Sequence, residues 1–228
     1  MIKNITNLGD TAVYCDFGSE VNEIINGNVI VYFNQLSKLI KEDRIKGIKN
    51  LTPSYNKLII SFDLTLTNYK EIKEIIEDLK IEKNLEKKSK NIKIPVCCDE
   101  EYGLDFNRLI KKLNLNKETI LKSYLDKKYF CYMTGFIAGM PFLGDINENI
   151  RCDRLETPRV KVPRGSVGIT EQFANIYTFE SPGGWNIIGN TPKKIFDDKN
   201  LDQPALVNPG DKVSFYQITK EEYLNWNE

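Results

Sequence analysis

The chain has 228 residues, of which 41% are hydrophobic and 28% are charged. This composition is typical of a folded globular protein and excludes a disordered or collagen-like chain. Lysine plus arginine and aspartate plus glutamate each number 32, so no net positive charge favours a nucleic acid or an anionic membrane as partner.

The sequence contains no histidine, so any acid–base chemistry must be carried out by Asp, Glu, Lys, Tyr or Cys. The absence of histidine excludes every nucleophile that needs a histidine base and removes the commonest metal ligand. The five cysteines form no C-x-x-C pair, and no apolar run approaches the roughly 18 residues that span a bilayer, so we expect reduced thiols, no metal site and a cytoplasmic location. The chain also contains no G-x-x-x-x-G-K-[ST] or G-x-G-x-x-G motif, so no nucleotide phosphate loop is predicted.

The N-terminal part of the chain alternates strand-like and helix-like segments. Strands are predicted at 11–17, 48–55 and 57–63, and helices at 21–41 and 68–80. The order β-α-β-β-α predicts a small open sheet with both helices on one face, in a domain that covers 1–91. The charged run 82–91 is interpreted as a solvated linker.

The pattern changes after residue 91. A strand at 92–98 is followed by predicted helices at 104–114 and 116–126, and 207–218 supplies a closing strand. Glycines and prolines crowd the region between 135 and 192, which is typical of the short strands of a barrel or a sandwich. The sequence therefore predicts an α+β fold with a second domain at 92–228.

Four arginines cluster in RCDRLETPRVKVPRG, at Arg151, Arg154, Arg159 and Arg164. A guanidinium group binds carboxylate or phosphate through two hydrogen bonds, and the prolines of this segment would hold such groups in place. One interpretation is an anion site. The other is a surface network of ion pairs with nearby acids, namely Asp145, Glu148, Asp153 and Glu156.

Two glycine-rich stretches accompany the arginines. In GFIAGMPFLG (135–144) the glycines permit close backbone approach, and the stretch supplies apolar walls from Phe136, Met140, Phe142 and Leu143. In SPGGW (181–185) the backbone turns sharply and presents Trp185, although a tight turn with Trp185 in the core explains the same residues. Ser166 is interpreted as a turn residue or a ligand donor.

Several sequence blocks together resemble one family. They are GDTAVYCDFG, LTPSYNKLIISFD, IPVCCDEEYGLDFNRL, GFIAGMPFLGDI, RLETPRVKVPRGSVGI and SPGGWNIIGNTP. In this order they resemble the B-type subunit of bacterial 5-oxoprolinase, whose family includes Bacillus-type sporulation kinase inhibitors and proteins labelled allophanate hydrolase subunit 1.

The resemblance implies a small N-terminal α/β sandwich domain followed by a cyclophilin-like β-barrel, as in the carboxyltransferase region of urea carboxylase. It implies a cytoplasmic hetero-oligomer with homologues of the C-type and A-type subunits of 5-oxoprolinase, which cleaves 5-oxoproline to glutamate with ATP. Two alternatives are inhibition of a sensor histidine kinase by protein–protein binding and membership of an allophanate hydrolase or urea amidolyase-type complex.

We predict that the barrel domain binds a small anionic substrate, with its carboxylate held by Arg154 and Arg159; no catalytic residue is assigned. The full set of expected ligand-binding residues is Gly135, Phe136, Gly139, Arg154, Arg159, Arg164, Ser166, Gln172, Gly183, Gly184 and Trp185.

The chain departs from the family pattern at several positions. Asn190 replaces the arginine of a G-R-T-P motif, Tyr124 replaces a histidine, and Arg164 replaces an alanine. Smaller departures occur at Ala138, Met140 and Phe142. The gained arginine could partly compensate for the lost one.

Overall fold

The computed structural model describes residues 1–81 and 89–227. By its internal contacts the chain divides into two compact units, Met1–Lys88 and Ser89–Glu228. The predicted linker falls mostly on residues 82–88, which lie outside the described residues. That the units are separate domains meeting near residue 91 stays a prediction, and each unit is described by itself below.

The first unit is a four-stranded antiparallel sheet with two helices. Its elements are β1 (Asn4–Asn7), β2 (Ala12–Asp16), α1 (Glu23–Lys41), β3 (Ile48–Pro53), β4 (Lys57–Phe62) and α2 (Tyr69–Glu77). The strand order is β1-β2-β4-β3. Alternate residues of β2 and β4 enter one buried cluster with both helices, which is the predicted arrangement of helices on one face.

Asparagine side chains begin both helices of this unit. Asn22 accepts a hydrogen bond from the backbone N–H of Ile25, and Asn68 accepts one from Glu71. Each bond satisfies a backbone donor that lacks a partner in the first helical turn. Strand β1 was not predicted, because in its sequence NITN only Ile5 is apolar and no alternating pattern can be recognised.

The second unit is built around a closed seven-stranded barrel with the order β10-β7-β6-β13-β5-β12-β9. Its elements are β5 (Asn91–Cys97), α3 (Phe106–Leu113), α4 (Lys117–Leu125), β6 (Lys128–Thr134), β7 (Pro141–Gly144), β8 (Arg159–Val162), β9 (Ser166–Thr170), β10 (Phe173–Ile176), β11 (Ser181–Gly183), β12 (Asn186–Asn190), β13 (Lys212–Ile218) and α5 (Lys220–Leu224). Strands β5 and β13 pair in parallel, whereas the other neighbours in the barrel are antiparallel. The predicted α+β class with a C-terminal barrel is confirmed.

One face of the barrel wall carries the main hydrophobic core. Leu143, Ala174 and Ile176 point into this core together with residues of α3 and α4. The residues between them along the strands project from the opposite face of the wall, because side chains alternate along a strand. A separate ribbon, β8 paired with β11, is also formed from the glycine-rich region.

No helix among the described residues is both long and apolar enough to cross a membrane.

Candidate functional site

A cavity of about 330 Å³ lies in the second unit, where the ribbon β8–β11 meets the loop before β7. Aromatic rings, prolines, glycines and a guanidinium group line it. The lining residues are Phe136, Met140, Phe142, Arg154, Pro158, Tyr177, Pro182, Gly183, Gly184 and Trp185. The cavity therefore combines apolar walls with a cationic group, as ligand sites commonly do.

The cavity is formed over the face of the barrel wall that points away from the main core. Phe142 and Asn175 are directly opposite each other on β7 and β10, and both alternate with core residues. Met140, Tyr177 and Ile187 form a second buried cluster on this side, against which Phe142 packs. The walls of the cavity are thus fixed by strands of the barrel rather than by loops alone.

Arg154 carries the positive charge of the cavity. Its guanidinium carbon is 6.0 Å from the centroid of the Trp185 ring, a distance at which a cation is attracted to the ring face. Arg154 is exposed and has no ion-pair partner among the residues that the structure describes. The guanidinium group is therefore free to bind an anion.

The backbone that bears Arg154 is held by buried polar side chains. Asn186, fully buried, donates from its amide to the carbonyl of Asp153 (2.9 Å) and to that of Ile169 (3.1 Å). Arg108 donates to the amide oxygen of Asn186 and, at 3.3 Å, to the backbone carbonyl of Arg154. These bonds hold the segment before Pro158 in place, so Arg154 extends from a fixed backbone.

Arg159 was predicted to share the carboxylate with Arg154, but it already binds a carboxylate of the protein. Its two terminal nitrogens lie 3.0 and 2.7 Å from the oxygens of Asp105, and the Asp105 side chain is only 5% exposed. Asp105 also accepts a hydrogen bond from the backbone N–H of Ile187 at 2.6 Å. Arg159 thus joins β8 to the start of α3, and a role in ligand binding stays a prediction.

The two glycines of SPGGW have different roles. A Cβ on Gly183 would overlap the hydroxyl oxygen of Tyr177, so a side chain at this position would displace the tyrosine. A Cβ on Gly184 would make only ordinary contacts, and its carbonyl accepts a bond from the N–H of Leu155 at 2.7 Å. Trp185 is 6% exposed and forms an edge-on contact with Phe142, so it is both buried and part of the cavity wall.

Phe136 lies at the rim of the cavity and is 69% exposed. Its backbone φ of 68° is strained for a bulky residue. The surrounding loop is nevertheless fixed, because Gly135 donates to the carbonyl of Met140 at 3.0 Å and Thr178 donates to that of Ala138 at 2.7 Å. Strain of this kind is found at binding sites, where surrounding contacts maintain it.

The other predicted residues lie outside the cavity lining. Gly135 and Gly139 shape the loop around Phe136, whereas Ser166 is buried at the start of β9, and Gln172 accepts a bond from Ile146 through its backbone carbonyl. Their predicted ligand contacts stay predictions. Leu143, expected as an apolar wall, points into the barrel core instead.

The alternative of a surface ion-pair network describes only part of the arginine cluster. Arg151 lies 3.9 Å from Glu148, but Asp153 pairs with Lys112 at 2.6 Å. The Lys112 ammonium group accordingly lowers the pKa of Asp153. Arg151 therefore forms a surface pair and Arg159 a buried one. Arg154 and Arg164 have no ion-pair partner among the described residues.

Two of the departures from the family pattern are neighbours in space. The amide of Asn190 donates to the backbone carbonyl of Arg164 at 2.9 Å, and its oxygen accepts from the hydroxyl of Tyr223 at 2.9 Å. This proximity favours the predicted compensation between positions 164 and 190, which stays a prediction. Tyr124 is fully buried among core residues, with its hydroxyl lacking a partner among the described residues.

A larger cavity of about 480 Å³ lies elsewhere in the second unit, between the segment 193–206 and the C-terminal residues. Two of its charged groups, Lys194 and Asp197, neutralise each other at 2.6 Å. We place the candidate site at the smaller cavity, because it combines several aromatic rings with a guanidinium group that has no ionic partner in the described part of the chain. No cluster of His, Cys, Asp or Glu suited to a metal ion occurs within 1–81 or 89–227.

Comparison with known proteins supports the assignment to a family. A family model described as "Carboxyltransferase domain, subdomain C and D" matches residues 3–207. The B-type subunit of 5-oxoprolinase from Bacillus subtilis is 30% identical over 98% of this chain and 96% of its own length. The protein of the same name from Haemophilus influenzae is 33% identical over 93% of this chain and 96% of its own length.

A solved structure shares the fold. The crystal structure of TTHA0988 matches 92% of this chain with a TM-score of 0.79 and 26% sequence identity. This chain spans only 40% of the TTHA0988 chain, in which the matching region is one part of a longer protein. By its family-model match and its full-length relatives, the chain belongs to the carboxyltransferase subdomain C and D family, which includes the B-type 5-oxoprolinase proteins.

Proposed function

We propose that this chain is the B-type subunit of an ATP-dependent 5-oxoprolinase, which converts 5-oxoproline to glutamate together with homologues of the C-type and A-type subunits. The full-length match to relatives that carry the B-type 5-oxoprolinase name supports the proposal most strongly, because it covers 96% of the length of each relative. ATP is assigned to the assembled complex, since this sequence contains no nucleotide motif.

The cavity supports a role in holding the substrate. 5-Oxoproline is a five-membered cyclic amide with one carboxylate, and the cavity offers a guanidinium group without an ionic partner among the described residues, beside flat apolar walls. Arg154 would bind the carboxylate through a charge-assisted hydrogen bond, while Trp185 and Phe142 would pack against the ring. The catalytic residues are expected to come from the assembled complex.

Dependence on other proteins agrees with how the relatives are organised. The relatives named above are called subunits, and in TTHA0988 the matching region occupies 40% of a longer chain. A module that occurs both within a longer chain and as a separate protein is expected to act beside other modules.

Reconstitution tests the proposal. The chain and its A-type and C-type partner homologues are purified separately, and glutamate release from 5-oxoproline is measured with and without ATP. We expect release only when all three proteins and ATP are present. Equal release without this chain would contradict the proposal, as would no release from the complete mixture.

The predicted inhibition of a sensor histidine kinase and the predicted amidolyase-type activity stay alternatives. Suppression of kinase autophosphorylation by the isolated chain would favour the first. ATP-dependent turnover of allophanate or urea, in place of 5-oxoproline, by the complete mixture would favour the second.

A further inference from the structure

Tyr177 lines the cavity, although no sequence motif singles it out. Its position is fixed by the backbone, because its N–H donates to the carbonyl of Ser166 at 2.9 Å and its carbonyl accepts from Gly165 at 2.7 Å. The ring packs with Met140 and Ile187 in the second cluster, leaving the residue 1% exposed. The hydroxyl group is therefore held in one place.

Gly183 makes room for this hydroxyl group. A Cβ at position 183 would overlap the Tyr177 oxygen, and Gly183 itself lines the cavity. The polar end of the ring consequently reaches the wall formed by β11. This clearance explains a glycine of SPGGW that a simple turn does not require.

The surroundings of the Tyr177 oxygen favour a protonated phenol. Burial raises the pKa of Tyr177 and is the largest effect on it. The side-chain amide of Asn175 and the backbone N–H of Trp185 lower the pKa of Tyr177, as do two nearby guanidinium groups. At neutral pH the phenol therefore keeps its proton.

The polar groups around this phenol are not fully paired within the protein. Both amide atoms of Asn175, whose side chain acts on the phenol, lack a well-formed hydrogen bond among the described residues. Buried polar groups of this kind gain stability from a ligand that completes their hydrogen bonds.

We infer that Tyr177 donates a hydrogen bond to the amide carbonyl of the ligand whose carboxylate is bound by Arg154. The inference rests on the proposed function, because it requires a ligand with both a cyclic amide and a carboxylate. Arg154 and Tyr177 line the same cavity and would bind the two polar groups of such a molecule. Proline has the same ring size but lacks the carbonyl, so this hydrogen bond would select against it.

Three probes separate the two contacts in the full-length chain. 5-Oxoproline carries both polar groups, cyclopentanecarboxylate carries only the carboxylate, and 2-pyrrolidinone carries only the amide. Their affinities are measured by NMR titration of the wild type and of Tyr177→Phe, which keeps the buried ring. We expect Tyr177→Phe to weaken binding of 5-oxoproline and 2-pyrrolidinone about threefold to tenfold, the scale of one neutral hydrogen bond, and to leave cyclopentanecarboxylate unchanged.

Two further variants complete the design. Tyr216→Phe removes the hydroxyl of a tyrosine that is 42% exposed on β13, outside the cavity lining, and should change none of the affinities. Gly183→Ala should weaken the binding of 5-oxoproline at least as much as Tyr177→Phe does, because the alanine methyl group would displace the Tyr177 hydroxyl.

The outcomes distinguish this inference from the proposed function. If the wild type binds 5-oxoproline and Tyr177→Phe binds it equally well, the role of Tyr177 is overturned while the proposed function stands. Equal weakening for all three probes would indicate a structural role and would also overturn it. If neither the wild-type chain nor its complex with the partner proteins binds 5-oxoproline, the proposed function fails as well.

Discussion

The two units use charged side chains differently. In the first unit, both partners of these ion pairs keep contact with solvent: Lys57 and Asp16, 2.5 Å apart, are 21% and 34% exposed, and Lys49 and Asp63 are 62% and 29% exposed. In the second unit, Arg159 pairs with a carboxylate of Asp105 that is 5% exposed, close to the cavity. Exposed pairs contribute little to stability, whereas a buried pair is costly to break.

The difference identifies which charges the fold depends on. Asp105 and Asn186 are both buried: Asp105 binds Arg159, and Asn186 holds the segment that carries Arg154. Arg154 itself has no ionic partner among the described residues. A buried polar network beside a free guanidinium group is the arrangement expected where a protein keeps a binding group in a fixed place. Four substitutions test this comparison.

The largest effect is expected for Asp105→Ala. It leaves the Arg159 guanidinium and the N–H of Ile187 without their partner, so the free energy of unfolding should fall by about 3–5 kcal/mol, the range for breaking a buried ion pair. Urea unfolding followed by circular dichroism measures it. Asp153→Ala is the matched control, since its pair with Lys112 is exposed and its loss should scarcely move the midpoint.

A smaller loss of stability is expected for Asn186→Ala. The carbonyls of Asp153 and Ile169 lose their donor, and Arg108 loses an acceptor. Unsatisfied buried groups cost about 1–3 kcal/mol each, and a total in that range is expected after local relaxation. The same urea titration measures it; a change no larger than that of Asp153→Ala would show that this network does not fix the segment.

Arg154→Lys should leave stability unchanged and weaken 5-oxoproline binding about tenfold, because an ammonium group cannot reproduce the planar fork of arginine. NMR titration measures the affinity. Arg164→Lys is the matched control, since Arg164 also has no ion-pair partner among the described residues but lies outside the cavity lining. Equal affinities for wild type and Arg154→Lys would remove Arg154 from the site.

The fold and part of the candidate site can be predicted from the sequence. The apolar spacing located the helices, and the glycines and prolines indicated a barrel or a sandwich. Of the expected site residues, Phe136, Arg154, Gly183, Gly184 and Trp185 line one cavity. They come from three separate stretches, and each stretch has its own local signal: a glycine-rich loop, a cluster of arginines, and the SPGGW turn. Local signals of this kind can be read from one stretch of sequence.

The rest depends on contacts between distant parts of the chain. Arg159 looks like Arg154 in sequence, but its partner Asp105 is 54 residues away, and Arg108 meets Asn186 across 78 residues. Tyr177 lies in an ordinary strand-like sequence. Its hydroxyl occupies its position only because Gly183 has no side chain there. No periodicity or motif reports such pairings.

The smallest effect is expected at the surface of the first unit. Hydrogen bonds from the side chain and backbone of Thr65, and then the bond from Lys49, lower the pKa of Asp63 to about 2. Because the folded-state pKa lies below the ordinary value of 3.8, the charged carboxylate stabilises the fold above that value, and this contribution is lost as the pH falls from about 4 to 2.

Asp63→Asn removes the titrating group and therefore tests this surface contribution. The wild type should be slightly more stable than the variant at pH 7, and the difference should shrink as the pH falls from about 4 through 2, which urea midpoints measured across this range would show. Asp10→Asn is the control, since it replaces another exposed aspartate of this unit and leaves the contacts of Asp63 with Thr65 and Lys49 in place. A difference that persisted undiminished at pH 2 would mean that the Asp63 side chain acts through its shape and hydrogen bonds rather than its charge. The contrast between surface charge in one unit and buried charge in the other would then have to be restated.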